Sequence, residues 1–207
     1  GRNLESVDSR TAVGGNVRAL ANGGWGFASF NSFADLPGQV KLAVEQARFV
    51  GKEKSVLAEV EPIVDNVPAG VIDSPLNIPL TEKKNLLDEY NGIIWVTPGI
   101  QTSVINYGDS SKKILFLNSA GSYIEQEKID VSLRLSAVVT DGTQVQQAGI
   151  SLGSPGEFSA GQGLHHQVEQ LSERAVALLS ASQVKGGEHT VVLDPVLAGV
   201  FVPEAFG

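Results

Sequence analysis

Cysteine and methionine are both absent from the 207 residues. Without cysteine the chain forms no disulfide and presents no thiolate, so its three histidines are the only soft metal ligands it has. That fits a cytoplasmic protein. Also lacking is any apolar run of the roughly 18 residues that a membrane-spanning helix needs, and no basic-then-apolar leader opens the chain. Neither a membrane partner nor a signal peptide is expected. Positive charge is scarce: 15 Lys and Arg against 23 Asp and Glu leave a net charge of −8. The attraction that underlies binding to phosphate backbones is then missing, and nucleic acid is not an expected partner. No repeat of solenoid length appears. There is no initiator methionine, and Gly1 to Ser9 reads as the middle of a strand region, so the expectation is a fragment lacking one or both natural ends.

What is present suffices for a core, since 42% of the residues are apolar. Asn22-Gly23-Gly24 supplies the positive backbone angles of a tight turn between strands near Asn16 to Leu20 and Trp25 to Phe30. Glycines on both sides of Trp25 allow a second backbone to come close, although Trp25 and Phe27 are expected to pack under a helix. Asp35 with Pro37 opens that helix, whose face is Leu36, Val40, Ala43, Val44, Ala47 and Val50. Prolines at 62, 68, 75 and 79 predict an extended linker from Gly51 to Pro79. A second helix, beginning at Pro79 or Thr81 with Leu86, Leu87 and Tyr90 on one side, should end near Asn91-Gly92.

From Gly99 the period changes to two. Strands are predicted at Gln101 to Tyr107, Lys113 to Leu117, Ser122 to Gln126 and through DVSLRLSAVVTD, where Val131, Leu133, Leu135, Ala137 and Val139 share a face. Asp141-Gly142 turns the chain back through Thr143 to Leu152. Leu164, Val168, Leu171, Ala175, Leu178 and Leu179 then line a helix that should lie across the sheet. HTVVLDP reads as a short buried strand. The fold class is α+β, antiparallel sheets (an N-terminal hairpin and a C-terminal meander) packed against helices. Residues 1–98 form an α/β subdomain, and 99–207 the meander with its helices.

Few residues carry obvious chemistry. His165 and Glu169, with His166 and Glu173, have metal-capable helical spacing, but a solvated polar face beside the leucine stripe explains them more simply. His189 reads as structural. Gly161-Gln162-Gly163 lacks the third glycine and the acidic residue of a phosphate cradle, and LNSAGS fails the nucleophile elbow at its first position. The final segment is different. Asp194 caps and Pro195 occupies the first position of a helix over Val196 to Phe206 whose apolar residues predict burial. Pro203 inside it removes an N–H and crowds the carbonyl of Gly199, costing roughly 3 kcal/mol. Fold requirements do not account for it.

VVLDPVLAGVFVPEAFG resembles the segment of the TldD/PmbA family of zinc-dependent peptidases in which a strand and Asp-Pro-x-Leu-Ala-Gly lead into a helix bearing His-Glu-x-x-x-His. VRALANGGWGFASF is similar to the same family's N-terminal hairpin, with its Gly-x-Trp-Gly-Phe-Ala pattern. The resemblance covers nearly the whole chain. Family members are more than twice as long, so it implies an N-terminal, TldD-like half. It sets Pro203 at the first zinc histidine and Glu204 at the catalytic glutamate, with the second histidine just after Gly207. In the family, zinc lowers the pKa of bound water to about 7 and the glutamate takes its proton. Proline has no donor atom, so no metal ligand is expected in this chain, no zinc should be bound to it, and the chain itself should be inactive. The implied substrates are peptides or unfolded segments in peptide maturation, and the implied assembly is a homodimer or a TldD/TldE-like heterodimer. An alternative is a noncatalytic TldE/PmbA-like partner subunit. A free-standing interaction module is a weaker third reading, opposed by the expected burial of the last helix.

Overall fold

The computed structural model describes residues 3–52, 55 and 57–207. Residues 3–9 form no strand there; Gly1 and Arg2, part of the expected strand region, lie outside the described residues. Strands β1 (Gly15–Ala21) and β2 (Gly24–Phe30) make the predicted antiparallel hairpin. Its turn takes φ 52° at Asn22 and 81° at Gly23, the left-handed pair that an Asn-Gly turn provides. Helix α1 (Leu36–Val50) starts as expected: Gly38 N donates to Asp35 Oδ1 at 3.1 Å, and Pro37 sits in the first turn.

Which hairpin face α1 covers differs from expectation. The helix lies on Gly24, Gly26 and Ala28, while Trp25 and Phe27 point away and are 48% and 55% exposed. Glycine is the reason. A Cβ on Gly24 would stand 2.3 Å from the Ala47 carbonyl oxygen, so the backbones approach closer than any side chain permits. The buried stripe on α1 shrinks accordingly to Ala43 and Ala47, and Val40 and Val50 stay exposed.

The second sheet contains β3 (Val64–Val67), β4 (Ile100–Leu117), β5 (Tyr123–Thr140) and β6 (Val145–Pro155). β5 is central: β4 pairs along one side, while β3 and then β6 pair along the other. The stretch expected as linker thus contributes a strand, parallel to β5, fixed where Tyr123 N donates to Ile63 O at 2.8 Å and Ile63 N donates to Ser122 Oγ at 3.2 Å. Within that expected linker Glu53, Lys54 and Val56 lie outside the described residues. The four predicted strands between 101 and 140 merge into two of 18 residues each, turning at Asn118–Ser122, where Gly121 takes φ 103°. Polar residues such as Ser110, Ser111 and Lys112 interrupt the apolar pattern without interrupting the ladder. Exposed faces tolerate them.

Val131, Leu133, Leu135, Ala137 and Val139 form the buried face of β5, as their alternation predicts. Two helices cover it. α2 (Leu80–Val96) contributes Tyr90 and Ile94, and α3 (His165–Leu179) contributes Val168, Leu171 and Ala175. The Ile, Val and Leu side chains among them each contribute roughly 1.5–3 kcal/mol when fully buried. α2 runs on past Asn91-Gly92, contrary to expectation, because Ile94 belongs to this core and Ser103 Oγ donates to Asn91 Oδ1 at 2.6 Å. It stops at Thr97, held extended by the following Pro98. The Tyr90 hydroxyl donates to Gly161 O at 2.7 Å and accepts from Leu164 N at 3.2 Å, tying α2 to the entry of α3.

After α3 two expectations fail. HTVVLDP is not a strand, and Val191 and Val192 are 67% and 99% exposed. α4 (Pro195–Phe206) forms where predicted but buries no residue. Its apolar side chains surround it on every side, so no single stripe can seat it on the sheet.

Candidate functional site

The sequence-predicted site lies on α4. Val196 N donates to Asp194 Oδ1 at 2.9 Å, and Pro195 takes the first helical position, as the cap requires. The helix continues through Pro203, and Gly207 N closes the last turn on Pro203 O at 2.9 Å. Gly199, four residues earlier, has open space where a Cβ would be. Glu204 is exposed, and on the same helix the Phe201 and Phe206 rings meet edge-on with centroids 6.5 Å apart.

A catalytic metal needs three or more converging donors. Among the described residues no cluster of three His, Cys, Asp or Glu side chains has that arrangement. Pro203 has no donor atom and Glu204 offers a single carboxylate. The residues of α4 therefore do not fit a bound zinc ion, and no chemical step is derived through one.

The histidines are dispersed. His165 Nε2 lies 2.5 Å from Glu89 Oε1, and its ring meets Tyr90 edge-on at 5.7 Å. His166 Nδ1 is 3.8 Å from Glu169 Oε2, and His189 Nε2 is 3.0 Å from the Lys185 carbonyl oxygen. Glu173 lines an open cavity of about 490 Å³ between α3 and β6, with Gln167, Gln170 and Arg174. The predicted cluster is thus dispersed: His165 clips α3 to α2, His166 and Glu169 pair on the exposed side of α3, and Glu173 faces the groove between α3 and β6.

One charged group escaped sequence reasoning. Lys83 Nζ on α2 pairs with Asp109 Oδ2 on β4 at 2.5 Å, with both side chains largely buried. Lys83 also stands 5.4 Å over the Tyr107 ring. Burial first, and the Asp109 carboxylate second, push the Tyr107 phenol above its ordinary range. The phenol oxygen itself makes no hydrogen bond of ordinary geometry. Asp109 sits in Asp-Ser-Ser-Lys-Lys, which reads as a surface turn, and only the unbroken ladder of β4 carries it under α2. The pair fastens a helix to a strand.

Comparison with known proteins places these elements among relatives. A family model described as the PmbA/TldA metallopeptidase central domain matches residues 73–179, and one for domain 1 of the same metallopeptidases matches residues 1–50. A metalloprotease of Synechocystis sp. is 35% identical over 206 residues, covering 99% of this chain and 44% of the relative. A metalloprotease of Methanothermobacter thermautotrophicus is 34% identical over 214 residues, covering 99% and 45%. The chain thus spans less than half the length of these curated relatives. Among solved structures, TldE from Thermococcus kodakarensis superposes with a TM-score of 0.55 at 19% identity, covering 86% of this chain and 40% of that one. At that identity the likeness is one of fold.

Proposed function

Because the chain belongs to the PmbA/TldA metallopeptidase family, we propose that it is the N-terminal part of a TldD-like zinc peptidase acting on peptides or unfolded protein segments. The observation that carries this reading is the match over both 1–50, which holds the hairpin motif, and 73–179, which holds the long sheet and its helices. Glu204 is the proposed general base. Pro203 stands at the first ligand position, so the chain as it stands holds no catalytic zinc and hydrolyses no peptide. Extended substrates add to exposed strand edges, and this sheet has β4 along one side and β3 and β6 along the other. A dimeric assembly, a cytoplasmic location and a role in peptide maturation belong to the same proposal. No helix of the described residues is long and apolar enough to cross a membrane.

Metal content and hydrolysis test it together. The unaltered chain, dialysed against zinc, should retain none by elemental analysis and should leave a labelled unfolded polypeptide intact. A longer version that carries Pro203→His and the residues following Gly207 should retain about one zinc per chain. Stoichiometric zinc on the unaltered chain overturns the inactivity, and a metal-free longer protein overturns the peptidase reading.

A noncatalytic partner subunit is the second reading. It is favoured by the continuity of α4 through Pro203, since a helix that tolerates proline there keeps its shape without a ligand. A residue other than histidine directly after Gly207 supports it. Exposure of α4 removes the objection to a free-standing module, but membership of the family makes that reading unnecessary.

A further inference from the structure

β6 pairs with β5 along one edge, and its outer edge pairs with no other strand among the described residues. Arg174 Nη2 on α3 donates to Gly149 O at 2.9 Å, so Gly149 turns its carbonyl away from β5. Backbone groups alternate sides along an antiparallel strand, and Gln147 and Ser151 therefore present theirs to the same open edge. No proline occurs in the strand before its last residue, Pro155. Such an edge is a template for a further strand.

Beside that edge runs a wall. Gln167, Gln170, Arg174 and Ala177 recur at spacings of three and four, which puts them on one stripe of α3 along the open cavity of about 490 Å³ between α3 and β6. Ile150 and Leu171 give that cavity an apolar floor. A glutamine amide carries two donors and an acceptor, which suits the alternating groups of an extended backbone. Arg174 and Glu173 are the charged residues of the groove, and among the described residues neither has an ion-pair partner.

We propose that the groove between β6 and α3 holds an extended peptide segment that adds as a strand to β6 and turns an acidic side chain, with a basic one two residues away, toward α3. This rests on the peptide reading above, assigns a place where the segment is held, and needs no metal. Main-chain bonds to the edge supply affinity, and the groove supplies selectivity. Alternate side chains of an added strand face α3, so an acid and a base two residues apart meet Arg174 and Glu173 from the same side. An internal acid fits better than a free C-terminus. Gly149 stands near the middle of the 11-residue strand, and a chain that ended at Arg174 would leave half of the edge unpaired. On binding, Gly149 O passes from Arg174 to a peptide N–H, and the guanidinium turns to the carboxylate, whose charge-assisted hydrogen bonds are stronger than the one it gives up.

Two end-blocked, fluorescein-labelled peptides of one composition test this by fluorescence anisotropy with the unaltered chain. Thr-Val-Lys-Thr-Glu-Thr-Lys-Val-Thr puts its three charges on one face of a strand, and Thr-Val-Lys-Thr-Thr-Glu-Lys-Val-Thr turns the glutamate to the other. The first should bind, and the second about fivefold more weakly. Arg174→Glu should remove that preference. Ser151→Pro takes away an outward N–H that β5 does not use and should weaken the first peptide about tenfold or more, with the circular dichroism spectrum of both variants unchanged. No binding, equal binding of the two peptides, or binding of the first that neither substitution alters overturns the groove as the site. That failure leaves the peptidase reading to the zinc assay of the longer protein. A metal-free longer protein beside binding that follows the order of the charges overturns the peptidase reading and keeps the groove.

Discussion

The Cβ that Gly26 lacks would stand 1.8 Å from the carbonyl oxygen of Ala43. No side chain fits there, so the hairpin and α1 meet backbone to backbone. Gly26→Ala has to push the helix off the hairpin, an overpacking that should cost about 3 kcal/mol in urea denaturation followed by circular dichroism. Trp25→Ala, on the open face one residue earlier, should cost far less although it removes many more atoms. Equal costs for the two would mean that the hairpin packs the other way round.

Lys83 and Asp109 make the second prediction. Asp109→Ala leaves a largely buried ammonium without its partner and should cost about 3 kcal/mol, as breaking such pairs does. The double variant Lys83→Met/Asp109→Leu should be more stable than Asp109→Ala alone, because it removes both desolvated charges. A double-mutant cycle in urea reads the coupling. If the two single substitutions simply add, the pair contributes nothing beyond packing.

These two contacts also separate what the sequence discloses from what it does not. Asn22-Gly23, Asp35, the alternation of β5 and the stripe of α3 were legible because each is a local pattern with a local cause. The side of the hairpin that α1 covers was not, since aromatic bulk argued for one face and glycine for the other, and close backbone approach decided it. β3 was hidden among prolines because a short edge strand needs only a partner, here β5, and no period of its own. The run of α2 past Gly92 depended on Ile94 reaching a core assembled from distant strands. At the candidate site, Asp194, Pro195 and the helix itself were legible, whereas the exposure of α4 reflects the absence of any apolar surface seated against it.

Pro203 gives a local test on that helix. Pro203→Ala restores the N–H that donates to Gly199 O, and interior proline costs a helix roughly 3 kcal/mol. Because α4 buries nothing, no packing compensates for the change. Amide exchange in residues 200–206 should slow in Pro203→Ala, while exchange in β5 stays as it was. Unchanged exchange throughout α4 would show that the proline is not what limits the helix.

Asp141 predicts how the β5–β6 turn responds to acid. Its Oδ1 accepts from Gln144 N, Thr143 N and Thr143 Oγ1, each at 2.8 Å. Those donors, the Gln144 amide foremost, hold the carboxyl below its ordinary value of 3.8. A carboxylate depressed in the folded state adds stability that is complete above the unfolded value and disappears as pH falls through the folded one. Asp141→Asn keeps an acceptor oxygen but not the charge. The melting temperature of the unaltered chain should therefore exceed that of Asp141→Asn at neutral pH, and the two should converge as pH drops below 3.8 toward the lower folded value. A gap that persists in acid would mean that the turn depends on the shape of the side chain and not on its charge.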